Sequence, residues 1–390
     1  MNRLSIDIGF KATQLDYENL KNGLAYISSD IKTIELDPSA LLIHLGLLEA
    51  ASPDEIEKEV KKLLLKYQPI AKENETKVIY ESVCREVANK KDVFPELIKR
   101  GDLIKFKNGY FGMSGKLLKY FRKVDQAILK FAESFEASDI VFPITTEIDT
   151  LNKHDFFKQT PQFANFISTI NEDQSNISEC SKKMSSNNSN IKEHLHNPTS
   201  MCRSAICLNS YPCFENKIFA DNHSMVWTSV GKVFRNESTN VQTLERLHEF
   251  TMRELIFYGT YDFIESALHK TIEWHKELIE KLDLYAIIQS ANDPFFADNF
   301  SSLRFYQMSQ LSKYEVHLPN SISGNNVSCA SMNNHATHFS KSYNIKFENG
   351  EHMFTGCSAW GLERYIFMIL QQHGLDEGKW PKNVTDFLKD

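Results

Sequence analysis

Hydrophobic positions recur at two different periods along this chain, and the changes of period divide it. Residues 4–10 and 31–36 read as strands. Ser52 then caps a helix running to about Tyr67, with Ile56, Val60, Leu63 and Leu64 on one face and charges on the other. Pro53 at the first helical position suits that start. These segments predict a small α/β domain over residues 1–90, in which no chemistry is visible. A second domain is expected over residues 91–390. It opens with a long helix at 116–135 and a β-rich run at 140–143 closed by a proline. Strand-like segments follow at 225–228, 233–235 and 250–258, then a helix over 263–282. Residues 327–330 and 343–347 read as strands, and 363–372 as a final apolar helix. Mixed strands ahead of a terminal helix predict an α+β fold with an antiparallel sheet flanked by helices. Between 171 and 200, thirteen of thirty residues are Ser or Asn, with no sustained apolar period, which predicts a mobile insertion.

Composition narrows the class. A chain of 390 residues, 42% hydrophobic and 24% charged, can bury a sizeable core. No apolar run reaches the ~20 residues that span a bilayer, and the first residues lack the order of a secretory signal. The seven cysteines are odd in number and scattered, unlike a disulfide framework. A reducing cytoplasm is therefore expected, with thiolates available to a metal. The net charge of −7 argues against a surface adapted throughout to nucleic acid. One stretch departs from it: residues 99–130 hold nine Lys or Arg against two Asp, a face for an acidic partner or simply a solvated helix.

Two segments carry chemistry. The first is Phe234-Arg235-Asn236-Glu237, followed after a short polar loop by Arg246, Phe250 and Glu254. Two strands joined by a turn would gather Arg235, Glu237, Arg246 and Phe250 around one pocket. That set suits a nucleotide: guanidinium for phosphate, carboxylate for an exocyclic amine, an aromatic face for a base. The second is Gly356-Cys-Ser-Ala-Trp-Gly-Leu-Glu-Arg364, a glycine-punctuated strand running into a helix.

In this order the two segments resemble motifs 2 and 3 of the class II aminoacyl-tRNA synthetases, and residues 116–143 resemble a looser motif 1, their dimer-forming unit. Within that class the chain is most similar to the seryl branch and to its truncated relatives, the amino acid:carrier protein ligases. The segments 290–296 and 355–364, with Asn333, His335, His338 and Phe339, carry that likeness, which covers roughly residues 94–390. The resemblance implies an ATP site in which Arg235 meets the α-phosphate and the amino-acid carboxylate. Glu237 would meet the adenine amine, Phe250 would stack on adenine, and Arg246 and Arg364 would hold the terminal phosphates. It also implies a Cys207, Glu254, Cys357 zinc site whose fourth position takes the substrate's amino group. These ligand types suit zinc, although separations of 47 and 103 residues reveal nothing by spacing, and inert buried cysteines are the alternative. Adenylate formation needs positioning and charge neutralisation rather than a protein base, because the attacking carboxylate is already ionised. Magnesium should accompany ATP, but Asn326 stands where the family places an acidic ligand. His335 and His338 are expected in the cavity wall, and Trp274 and Trp360 in packing.

The resemblance further implies a homodimer and transfer of the aminoacyl group to the phosphopantetheine thiol of a carrier protein. Trp360, if turned inward, would shrink the pocket toward glycine or alanine. Seryl-tRNA formation is the alternative. Against tRNA stand a single N-terminal helix of about 15 residues, roughly 22 Å long, and a brief loop between Glu237 and Arg246. A third reading, a catalytically inactive paralogue with a binding role, predicts loss of the ATP-contacting arginines, yet Arg235, Arg246 and Arg364 are present.

Overall fold

The computed structural model describes residues 2–10, 14–67, 77–186, 190–238, 241–291 and 313–389. The N-terminal unit holds β1 (Asn2–Asp7), α1 (Gln14–Leu24), β2 (Ile31–Asp37), β3 (Leu42–Leu47) and α2 (Pro53–Tyr67). β3 lies between β1 and β2, antiparallel to both. Alternation along β3 turns Ile43, Leu45 and Leu47 inward, where they meet Leu20 and Leu24 of α1 and Ile56, Val60 and Leu64 of α2. Each such side chain contributes about 1.5–3 kcal/mol by leaving water.

The larger unit is built on an eight-stranded sheet. Its strands are β4 (Val78–Glu81), β5 (Ser138–Asp139), β6 (Met225–Phe234), β7 (Glu249–Gly259), β8 (Ile287–Ser290), β9 (Lys313–Pro319), β10 (Asn326–Asn334) and β11 (Phe354–Gly361). The order is β4-β8-β9-β10-β11-β7-β6-β5, antiparallel except for β5 at one edge. Three helices cover one face: α3 (Gly115–Glu133), α4 (Tyr261–Lys281) and α5 (Leu362–His373). Thr260 starts α4 by accepting the Phe263 N–H. Gly356 lets α4 approach: a Cβ there would stand 2.8 Å from Ile264 Cγ2 and 3.0 Å from the Asn333 carbonyl.

The elements depart from expectation in four places. β4 joins the eight-stranded sheet, so the expected boundary at residue 90 assigns one of that sheet's strands to the N-terminal domain. The Ser/Asn-rich stretch contains a helix, Gln174–Ser185, whose start is capped by Asp173 and whose Cys180 is buried. A cap and one buried contact suffice where composition argued for a mobile insertion. Residues 140–143 form no strand; only the Ile140 N–H extends the pairing, to the Thr228 carbonyl. Tyr343 ends a short helix, His338–Ser342, rather than opening a strand. Of the 290–296 segment, Ser290 and Ala291 alone are among the described residues. The basic stretch is a solvated face in part: Lys119, Arg122 and Lys130 of α3 are exposed, while Lys116 pairs with Glu377.

Candidate active site

All eight residues singled out as site residues line one cavity of about 1140 Å³ on the sheet face opposite the helices. Strand alternation places them. On β7, Arg253 turns to the helix layer and binds Asp125 of α3, so Glu254 turns the other way. On β11, Cys357 and Ala359 face the cavity side, and Ser358 and Trp360 face α4.

Cys207, Glu254 and Cys357 form a buried group whose ligand atoms all lie within 4.8 Å of one another. Glu254 assembles it, for its carboxylate accepts the backbone N–H groups of Ile206 (3.2 Å) and Cys207 (2.8 Å). This draws the turn bearing Cys207 onto the sheet. Burial, and then Cys357, push the Glu254 carboxyl up to about 8. The two thiols face each other and shift in opposite directions. Cys357, facing Cys207, His335 Nε2 at 3.6 Å and the Asn333 amide at 3.5 Å, is held low, and Cys207 is raised. Two thiols and a carboxylate, buried together, are ligand types that suit a divalent metal such as zinc.

The second half of the cavity is cationic. Arg235 donates to the Ser204 carbonyl at 3.0 Å and lies over the rings of Phe163 (5.2 Å) and Phe250 (5.5 Å). Arg246 binds Glu237 at 2.6 Å, and Glu237 is buried. Arg364 projects from the first turn of α5 and donates to the Ser328 carbonyl at 2.6 Å. Burial, and then Arg246, lower its pKa. Glu363 beside it ties the two motif segments together by accepting Thr251 N–H and hydroxyl bonds at 2.7 and 2.8 Å.

Some lining residues escaped the sequence reading. Lys313, Glu315 and His317 alternate along β9. Burial raises the Glu315 pKa, but Lys313 and His317 together hold it well below the carboxylate range. Their spacing of two was the available signal. Glu245 also lines the cavity and accepts from Asn320, Ser323 and Asn325, next to Asn326. Lys21 and Lys32 of the N-terminal unit reach the same cavity, although that unit had shown no chemistry. His335 and His338 stand in the wall as expected; His335 also bonds Tyr211 at 3.2 Å. Trp274 and Trp360 are packing residues. Trp360 stacks on His275 behind the sheet, so it does not narrow the cavity.

The tRNA synthetase class II core domain (G, H, P, S and T) matches residues 220–373, which include β6, β7, β10 and β11. This is a class II synthetase-like protein. The type-2 serine–tRNA ligase of Methanococcus aeolicus is 25% identical over 77% of this chain and 60% of its own length. The amino acid–[acyl-carrier-protein] ligase 1 of Bradyrhizobium diazoefficiens is 29% identical over 47% of this chain and 56% of its own. The chain thus spans about 60% of the length of the curated relatives it matches. Among solved structures, M. kandleri SerRS, crystallised with A. aeolicus tRNASec, is 17% identical with a TM-score of 0.73, covering 99% of this chain and 77% of that one. The likeness shows the class II synthetase fold. No helix among the described residues is long and apolar enough to cross a membrane.

Proposed function

We propose that this synthetase-like cavity activates a small amino acid, glycine or alanine, as its adenylate and passes the aminoacyl group to the phosphopantetheine thiol of a carrier protein. The observation that carries the reading is a buried Cys, Glu, Cys donor set in the same cavity as Arg235, Arg246 and Arg364. Cys207, Glu254 and Cys357 would hold zinc, which supplies a Lewis-acid position for the substrate's free amine. That anchoring leaves the carboxylate free to attack the α-phosphorus; its oxygen forms the new P–O bond and pyrophosphate leaves. Arg235 neutralises charge at the α-phosphate, and Arg246 and Arg364 receive the terminal phosphates. Glu237 must release Arg246 to meet the adenine amine, and Phe250 supplies the stacking face. Magnesium would enter with ATP; Glu245 and Glu315 are among the carboxylates that share the cavity with Asn326. In the second step the thiol sulfur bonds the carbonyl carbon, AMP departs, and the thiol proton passes to solvent.

A small substrate is supported by the crowding beside Cys357, where His335 and Asn333 stand within 3.6 Å of its sulfur. The carrier as acceptor is supported by the short β6–β7 connection and by the similarity to the Bradyrhizobium ligase. A second reading, serine transfer to tRNA, is favoured by the likeness to type-2 serine–tRNA ligases. The experiment incubates the protein with ATP and labelled glycine, alanine or serine, offering either a pantetheinylated carrier or total tRNA. Label on the carrier from glycine or alanine is expected; labelled tRNA with an unlabelled carrier would overturn the proposal.

A further inference from the structure

The N-terminal unit reaches the loop that carries Glu237. Tyr26, just beyond α1, donates its hydroxyl to the Asn236 carbonyl at 2.5 Å. Ser238 returns the contact, donating its hydroxyl to the Ala25 carbonyl at 2.5 Å. These two bonds bracket Glu237, one acting on the residue before it and one on the residue after. The backbone between them is constrained, because Ser238 sits at φ +53°, a left-handed conformation that a non-glycine residue keeps only where its surroundings enforce it. Burial, and then the nearby Glu237 carboxylate, raise the Tyr26 pKa, so the hydroxyl stays a donor across the physiological range.

We infer that Tyr26 is a positioning residue for Glu237, and that the N-terminal unit completes the nucleotide site by clamping this loop from outside. The inference rests on the reading of the cavity as an ATP-dependent activating site. Without the clamp, the loop can leave the left-handed turn at Ser238, and the Glu237 carboxylate loses the fixed backbone position from which it would meet the adenine amine. Affinity for the base should then fall while Arg235, tied to the Ser204 carbonyl, and the groups on β7, β11 and α5 keep their geometry.

The test uses the full chain and amino-acid-dependent ATP–pyrophosphate exchange. Tyr26→Phe should raise KM for ATP about five- to tenfold, the effect of losing one hydrogen bond. Its kcat and amino-acid KM should stay within about twofold. Ser238→Ala should shift ATP KM in the same direction and serves if Tyr26→Phe folds poorly. In a Glu237→Gln background, Tyr26→Phe should have little further effect, because both act through the same carboxylate. An unchanged ATP KM in both single variants would overturn the inference, as would a full Tyr26→Phe effect in the Glu237→Gln background. Wild-type exchange with unshifted variants sinks this inference alone. No exchange by the wild type with any amino acid sinks the activation reading and this inference together.

Discussion

The two faces of β11 differ in what their buried polar atoms do. Toward the cavity, Cys357 meets Cys207, Glu254, Asn333 and His335, and every one of these polar groups has a neighbour of matching chemistry. Toward the helices, Trp360 stacks on His275, and among the described residues neither the indole N–H nor either ring nitrogen of His275 has a hydrogen-bond partner. Burial alone therefore does not mark a functional group here. On the cavity side the buried titratable groups converge within ligand distance; on the helix side of this strand, His275 and Trp360 act through packing.

The contrast breaks first at the triad. Cys357→Ser and Glu254→Gln should each remove the bound metal and lower amino-acid activation on the order of a hundredfold or more, measured by zinc analysis and pyrophosphate exchange. Zinc affinity should fall as pH drops below about 8, because the metal-free Glu254 then holds a proton that binding must displace. Full zinc content in Glu254→Gln would remove Glu254 from the set of metal ligands. On the opposite face, Trp360→Ala should cost about 3–5 kcal/mol of stability in denaturant unfolding while zinc per folded chain is unchanged. Loss of metal without loss of stability would invert the two roles.

The smallest effect belongs to His275. Burial lowers its pKa from 6.5 to about 3 in the folded chain. Between those values the unfolded chain takes up a proton that the folded chain does not, so stability falls as pH falls from about 6.5 toward 3. His275→Phe should flatten that part of the stability–pH curve. An unchanged slope would show that other groups dominate acid unfolding.

Much of the cationic half was legible in the sequence because its residues lie close together along two segments, one a hairpin and one a strand running into a helix. The direction of Trp360 was legible as well: with Cys357 facing the cavity, a period of two turns residue 360 to the other side. The small-substrate argument built on an inward Trp360 therefore falls, and crowding by His335 and Asn333 replaces it. The proximity of Cys207, Glu254 and Cys357 had no spacing signal; family likeness alone joined them. Contact between Tyr26 and Asn236 was hidden for a different reason. It spans 210 residues and ends on a backbone carbonyl, which any residue type can supply. Similarly, β3 is absent from the strands expected in the N-terminal unit, although its alternation is clear once β1 and β2 flank it.

The central claim is that this cavity activates a free amino acid through a metal held by Cys207, Glu254 and Cys357. It is tested most directly by ATP–pyrophosphate exchange with glycine and alanine, before and after chelation and again after adding zinc, with N-acetylglycine as a blocked amine. The account predicts exchange that disappears on chelation, returns with zinc and is never supported by N-acetylglycine. Full exchange by the metal-free protein, or exchange with the blocked amine, would contradict it.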